Sequence, residues 1–293
     1  MITKTVIPVA GYGTRMLPAC KTIPKNILNI LNKPAIQYIA ESASVSGIKD
    51  IVLITSRECE AIENHFDYYY ELEEKLRASG KTELYNEIRA IPELANFIFI
   101  RQKQTLGNGH AVLCAKPAIE NNNFIMSWGD DFIDSGTPWF KQMSEAFEKY
   151  QVPIVCGITV DDKDVSKYGI MSGQKISDRL WKIDSVIEKP DPKEVKSRLA
   201  MVTGFAFTPE IFDILEDTKP SAGGEIWLTD AVSEYLKKKP MYALEFNKNE
   251  RYDFGNLEGY LRAVVHFAEK NPETKGLIRR FLEDKEDQQK INL

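Results

Sequence analysis

Short apolar runs alternate with helix-period segments through the first half of the chain, and few architectures accept that alternation. Val6 to Val9 is an apolar run that breaks at Ala10-Gly11-Tyr12-Gly13, as a buried strand does when it ends in a tight turn permitted by glycine. Pro34 stands where a helix would begin. Apolar residues recur at Ile36, Ile39, Ala40 and Ala43, and Gly47 would close the helix before the run Ile51 to Ile54. Strand, helix and strand in that order make a βαβ unit. The pattern returns with Phe97 to Ile100, a helix at His110 to Ala115, Phe124 to Met126, a helix at Trp139 to Tyr150, and Ile154 to Ile158. The expected class is α/β, with a mostly parallel sheet covered by helices on both faces.

Between Asp67 and Leu94 the sequence turns charged and helix-favouring, as in Glu-Leu-Glu-Glu-Lys-Leu-Arg, with no strand signal. This reads as a helical excursion and a solvated insertion. From Asp161 onward the expected strands are shorter and more polar, at Gly169 to Ser172, Trp181 to Ile187 and Val202 to Phe207. They suggest a smaller, substrate-facing β-rich layer. A charged helix from Glu273 suits a surface or subunit contact. The chain is read as one domain, 1–293, with halves at about 1–160 and about 161–265 and a helical tail at about 266–293.

At 293 residues there is room for a sizeable core without staples. A net charge of -5 is too acidic for a protein that tracks a nucleic-acid backbone by bulk charge. No nucleic-acid partner is expected, and an anionic ligand must be held by a local cluster. Cys20, Cys59, Cys114 and Cys156 lie far apart, without a Cys-x-x-Cys pair, which suits a reducing cytoplasm. The N-terminal Met-Ile-Thr-Lys-Thr-Val-Ile-Pro lacks the apolar block of a signal peptide. Nothing approaches the roughly 20 apolar residues of a membrane span, so no membrane partner is expected. The only histidines, His65, His110 and His266, have no zinc-motif spacing, so any metal should be a hard cation on carboxylates.

The turn Gly11-x-Gly13 after a strand suggests phosphate recognition, because a backbone free of side chains lets N–H groups approach oxygens. A nicotinamide-binding fingerprint would need a glycine at Met16 and an acid about 20 residues on, where Leu31-Asn32-Lys33 stands. No Gly-Lys-Ser/Thr follows, so a P-loop fails too. What remains is a glycine turn carrying Arg15, with Lys21 and Lys25 within ten residues of it. One guanidinium and two ammonium groups there suit a triphosphate.

Ala10-Gly-Tyr-Gly-Thr-Arg-Met-Leu-Pro18 and Lys21-Thr-Ile-Pro-Lys25 closely resemble the signature of sugar-1-phosphate nucleotidylyltransferases. Within that superfamily the chain looks most like the bacterial UTP:glucose-1-phosphate uridylyltransferases. The resemblance continues through Asn64-His-Phe-Asp67, Arg101-Gln102, Gly107-x-Gly109-His-Ala-Val112, Lys167-Tyr-Gly169 and Glu188-Lys-Pro190. Gly223-Gly-Glu225, Leu228-Thr-Asp230 and Arg251-Tyr-Asp-Phe-Gly-Asn256 follow in family order.

The resemblance implies a Rossmann-like fold with a nucleotide-binding first half and a sugar-binding second half. It implies attack by a glucose 1-phosphate oxygen on the α-phosphorus of UTP, giving UDP-glucose and pyrophosphate. The nucleophile is already an anion, so alignment and charge neutralisation suffice. The two substrates bring roughly six negative charges together, which Mg²⁺ and cationic side chains must offset. By the same resemblance Arg15 and Lys25 are catalytic cations, Asp130 is catalytic and a magnesium ligand, and Asp253 is the second magnesium carboxylate. Ala10, Gly11, Gly13, Gln102 and Gly107 bind the nucleotide, with Gln102 and the backbone reading the uracil edge. Glu188 meets sugar hydroxyls, Lys189 holds the sugar phosphate and Gly169 lets the sugar approach. For Asp131 a turn or cap role weighs as much as metal binding, and His110 reads as a hydrogen-bonder at a helix start.

A homo-oligomer, dimer or tetramer, is the family's habit. Alternatives are another base or sugar, such as dTTP, and a catalytically silent paralogue. Asn26-Ile27 stands where Glu-Met is usual, Gly129 where Pro or Ala is usual, and Asn108 where Leu is usual. Thr203-Gly204-Phe205 replaces Gly-Arg-Tyr near the sugar, and Trp227 replaces a usual Gln.

Overall fold

Side chains of a strand point alternately to opposite faces, so a strand apolar at every position is buried on both. Val6 packs on one side and Ile7 on the other; Val52 and Ile54 join Val6, while Ile51 and Leu53 join Ile7. Phe124 and Met126 fall on the first side and Ile125 on the second. A computed structural model, in which residues 1–221 and 223–291 are described, assembles these runs into a nine-stranded sheet.

The chain opens with β1 (Lys4–Pro8), a small hairpin of β2 (Asn29–Ile30) and β3 (Lys33–Pro34), then α1 (Ala35–Val45) and β4 (Asp50–Thr55). Helices α2 (Glu60–His65), α3 (Tyr70–Ala78) and α4 (Thr82–Ala90) lead to β5 (Asn96–Arg101). Then come α5 (Asn108–Leu113), α6 (Lys116–Ile119), β6 (Phe124–Ser127), β7 (Asp131–Ile133), α7 (Trp139–Tyr150) and β8 (Ile154–Thr159). The second half supplies β9 (Gly169–Lys175), β10 (Leu180–Glu188), β11 (Leu199–Phe207), α8 (Glu210–Asp217) and α9 (Leu228–Leu236). It ends with β12 (Met241–Phe246), β13 (Arg251–Asp253), α10 (Leu257–Lys270) and α11 (Leu277–Ile291). The expected tail also takes in residues 292–293, which lie outside the described residues.

The sheet order is β5-β4-β1-β6-β11-β8-β12-β10-β9. Strands β5, β4, β1 and β6 are parallel, as the βαβ pattern demands. Beyond β6 the direction alternates: β11 runs antiparallel to β6 and β8, and β10 antiparallel to β12 and β9, with only β12 and β8 parallel. The sheet is therefore mixed, which corrects the mostly parallel sheet expected. Short connections such as that between β9 and β10 reverse the chain, whereas a parallel pair needs a long crossover.

The second-half strands also do not make a separate layer, because they continue the same sheet. Nor are they short: β10 and β11 have nine residues each. Polar residues do not end them: β10 continues through the exposed Asp184 and Ser185, and β11 through the buried Thr203. Strand β12 and the pairing of β7 with β13 have no counterpart among the expected strands. Helices α1, α7 and α10 pack on one face of the sheet and α5, α8 and α9 on the other. The excursion is the helical pair α3 and α4, joined by Arg89 and the buried Glu73 at 3.2 Å. Among the described residues no helix is long and apolar enough to cross a membrane, and all four cysteines are free thiols.

One small ladder positions the site. β13 runs antiparallel to β7, setting Arg251 opposite Ile133 and Asp253 opposite Asp131. Arg251 grips the Asp131 carboxylate with Nε at 2.9 Å and its outer nitrogen at 2.6 Å, and both side chains are at most 10% exposed. Burial opposes the guanidinium charge, but Asp131 outweighs it and holds Arg251 above its ordinary value. Asp131→Ala should strand that charge and cost about 3–5 kcal/mol, lowering the urea midpoint while the active-site carboxylates remain in the sequence. An unchanged midpoint would show that the pair does not secure the ladder.

Candidate active site

The order β5-β4-β1-β6 sends the chain to either side of β1, and open α/β sheets place ligands at the carboxyl ends of strands where this happens. Ala10 to Gly13 follow β1 there, and Trp128 to Asp130 follow β6. Gly13 has φ +62°, the left-handed region that glycine occupies without strain, and a Cβ on it would stand 3.2 Å from Lys25 Cβ. The turn therefore folds back onto Lys25. A Cβ at Gly11 would meet nothing within 4 Å, so packing alone does not require glycine at that position.

Lys25 donates to the Asp130 carboxylate, and the Arg15 guanidinium lies 3.8 Å from the same oxygen. Burial by itself would raise the Asp130 pKa, but Lys25, then Arg15 and Arg251, outweigh it and hold the carboxyl below the usual range. Phe254 N–H bonds the Asp130 carbonyl at 2.7 Å, bringing the Asp253 turn alongside. A Cβ on Gly255 would stand 2.8 Å from Arg15 and 3.0 Å from Asp253 Oδ1, and would run into the Asp130 carboxylate. Thus Arg15, Lys25, Asp130 and Asp253, named one by one from the family resemblance, converge. Lys21 stays exposed on the same loop.

Two carboxylates around this glycine cradle are a hard-oxygen donor set that fits Mg²⁺, an ion that takes one or two carboxylates and completes its shell with phosphate and water. Among the described residues no group of three or more His, Cys, Asp and Glu could hold a metal by itself. Asp131 is committed elsewhere, to Arg251 and to the Thr203 N–H and Oγ1 at 3.1 and 3.0 Å.

Several departures from the family pattern gain a physical reason. Asn26 donates to the Gly129 carbonyl at 2.6 Å, and a Cβ on Gly129 would stand 2.7 Å from that same amide nitrogen, so the two replacements fit one another. Thr203 has φ +54°, unusual for a β-branched residue, and its two bonds to Asp131 offset the strain. Phe205 is buried, and a Cβ on Gly204 would stand 2.8 Å from the Trp139 ring. Residues 203–205 thus belong to the core.

Gln102 is buried after β5, its N–H bonded to the Thr55 carbonyl at 2.8 Å. Its side-chain amide donates to the Gly107 carbonyl at 3.1 Å and to His110 Nδ1 at 3.0 Å. Both amide hydrogens are spent, leaving Oε1 as an acceptor. Gly107 has φ +97°, which favours glycine, and it begins α5. His110 does sit near the helix start, but its partner there is Gln102.

Gly169 pairs with Glu188 across β9 and β10, and a Cβ on Gly169 would stand 3.1 Å from Glu188 Oε2. Thr229 Oγ1 donates to that oxygen at 2.8 Å. The Lys189 ammonium lies 3.7 Å from Glu188 Oε1 and 4.6 Å from the centre of the Trp227 ring. Among the described residues no hydrogen bond or ion pair joins Gln102 or Lys189 directly to Asp130. Tyr168 links the clusters: its carbonyl accepts from Lys189 N–H at 3.0 Å and its hydroxyl from Arg251 at 3.0 Å. Tyr168, Thr229 and Arg251 lay inside recognised motifs, yet their roles were missed because each acts through a distant partner. A cavity of about 660 Å³ opens beside Asp253, lined also by Arg15, Lys167, Tyr168 and Arg262. Its size suits a small molecule, and its lining mixes these cations with Asp161, Asp164 and Glu258.

A cation cluster at the carboxyl ends of an α/β sheet, facing two carboxylates, is built for binding and aligning phosphates. The chain belongs to the nucleotidyl transferase family, whose sequence model matches residues 4–270. It is 42% identical over 283 residues to the UTP--glucose-1-phosphate uridylyltransferase YngB of Bacillus subtilis, covering 97% of this chain and 95% of that protein. Among solved structures, UTP-bound UGPase from Acinetobacter baumannii superposes with a TM-score of 0.89 at 32% identity, covering 96% of this chain and 99% of that one. A UDP-glucose pyrophosphorylase complexed with UDP-glucose superposes with a TM-score of 0.82 at 38% identity, covering 92% and 100%.

Burial lowers the His110 pKa below its ordinary 6.5. The unfolded chain then takes up a proton that the native ring refuses, so the stability that neutral His110 contributes is lost as pH falls through 6.5 toward the native value. NMR titration should place His110 below 6.5, and His110→Gln should flatten that part of the stability profile. Titration at or above 6.5 would contradict the neutral acceptor assigned to it.

Proposed function

We propose that this protein catalyses uridylyl transfer from UTP to α-D-glucose 1-phosphate, giving UDP-glucose and pyrophosphate, with Mg²⁺ as cofactor. The convergence of Arg15, Lys25, Asp130 and Asp253 on Gly255 carries the reading, and the printed activity of the Bacillus subtilis relative supports its substrates. Residues of about 1–160 form the Rossmann-like nucleotide-binding half and about 161–265 the sugar-binding half. The charged tail, about 266–293, suits a surface or subunit contact.

The backbone of Ala10 and Gly11 and the Gln102 and Gly107 pair meet the base, with Gly13 shaping the turn. Because Gln102 is left with Oε1 alone, it selects a base that offers an imide N–H, as uracil does and cytosine does not. Arg15 and Lys25 neutralise the triphosphate. Lys189 holds the sugar phosphate, Glu188 accepts from sugar hydroxyls, and Gly169 leaves room for the ring. Asp130 and Asp253 would hold Mg²⁺, which when bound supplies Lewis-acid neutralisation of phosphate charge.

A phosphate oxygen of the sugar forms the new bond to the α-phosphorus, and the bond to the bridging oxygen of pyrophosphate breaks. No proton need be removed from the attacking anion, so alignment of the two phosphates by these cations supplies the rate. We further propose a cytoplasmic homo-oligomer, dimer or tetramer. The exposed Leu257, Leu261 and Val265, four residues apart on α10, support an association surface.

A pyrophosphate-release screen of nucleotides against sugar 1-phosphates tests the substrates. UTP with glucose 1-phosphate and Mg²⁺ should be fastest, and a clear preference for dTTP or another sugar phosphate would overturn the assignment. Asp130→Ala and Asp253→Ala should each lower kcat by about a hundredfold or more while circular dichroism stays native, since each would remove a ligand of the ion that offsets phosphate charge. Near-normal turnover in either variant would remove that carboxylate from the mechanism.

A further inference from the structure

We infer that Trp227 is a positioning residue for sugar-phosphate binding, its indole face holding the Lys189 ammonium ready for the anion. The inference rests on the reading of Lys189 as the cation for the sugar phosphate. Lys189 is 49% exposed, and its flexible stem would otherwise leave the charge free to wander. Its backbone is fixed instead: φ is +46°, and its N–H is tied to the Tyr168 carbonyl. Two groups face the side-chain tip: Glu188 Oε1, 3.7 Å from the ammonium, and the Trp227 ring, 4.6 Å from it. Indole offers the strongest aromatic face for a cation, and it attracts the ammonium without adding a counter-charge. The Glu188 carboxylate, whose other oxygen accepts from Thr229, competes with phosphate for the ammonium, whereas the ring does not.

Trp227 can serve this way because its own backbone is strapped down. Ile226 N–H bonds the Leu106 carbonyl at 2.7 Å, Gly109 N–H bonds the Ile226 carbonyl at 2.9 Å, and Leu228 N–H bonds Asn108 Oδ1 at 2.8 Å. The straps are so close that a Cβ on Gly107 would stand 2.6 Å from the Ile226 carbonyl oxygen. Asn108 thereby satisfies an orphan N–H at the start of α9, next to Trp227. Both Asn108 and Trp227 depart from the family pattern, and in this chain they lie on one rigid path to Lys189.

Steady-state kinetics on the full-length enzyme, varying each substrate separately with Mg²⁺ present, tests this. Trp227→Leu should raise the KM for glucose 1-phosphate about two- to fivefold, the factor that a half-exposed cation–π contact supplies, with the KM for UTP and kcat nearly unchanged. Trp227→Phe, which keeps a π face, should recover most of the loss. In a Lys189→Ala background Trp227→Leu should add nothing further, because the group it positions is gone. If Lys189→Ala raises the glucose 1-phosphate KM but Trp227→Leu does not, the inference falls and the Lys189 reading stands. If neither changes it, the reading of Lys189 falls as well. Equal loss for both substrates, or Phe no better than Leu, would make Trp227 a packing residue and overturn the proposal.

Discussion

Asp131 lies in the interior, where a carboxylate persists only if it is paired and its lone pairs are used. It accepts from the fork of Arg251 on one side and from the N–H and hydroxyl of Thr203 on the other. Three separated segments are thereby drawn to one point. Arg251 brings β13 against β7, so Asp253 comes up beside Asp130, and Thr203 fixes the irregular register of β11. Arg251 also holds the Tyr168 hydroxyl, whose residue anchors the Lys189 backbone. The Asp130 cluster and the Glu188 and Lys189 cluster therefore both hang from Asp131.

Asp130 and Asp131 are neighbours with opposite duties, and the reason is geometric. Asp130 lies in the turn that precedes β7 and Asp131 opens the strand, so one carboxylate turns into the ladder and the other toward Lys25 and Arg15. The interior one is neutralised by Arg251 alone among the cations that bond it, whereas Asp130 shares its oxygen with two cations that can also meet phosphate. A chain of net charge -5 thus gathers cations locally, each held in place by a carboxylate.

The parts legible in the sequence are those whose cause is local. An apolar run breaking into Gly11-x-Gly13 announces β1 and its turn, and the period of Trp139 to Tyr150 marks α7 to the residue. The mixed half of the sheet was not legible, because nothing in a strand's own pattern states the direction of its neighbour. β7 and β13 have three residues each and carry charge where periodicity would show, and the bond between Arg251 and Asp131 spans 120 positions. The pairing of Asp130 with Asp253 came from family resemblance for that reason. Trp227 had no account in the sequence because its partner, Lys189, is met only after folding. Asn26 and Gly129 were likewise separate oddities until one amide nitrogen was seen to meet both.

The Asp131 and Arg251 pair brings Asp253 beside Asp130, where, on the function proposed above, the two carboxylates would share one ion. Crystals grown with UDP-glucose and Mn²⁺ in place of Mg²⁺ would test it through the anomalous signal of the metal. The account predicts a peak within coordination distance of both Asp130 and Asp253, lost from that position in Asp131→Ala crystals. A metal bound to only one of the two carboxylates, or held elsewhere in the cleft, would contradict it.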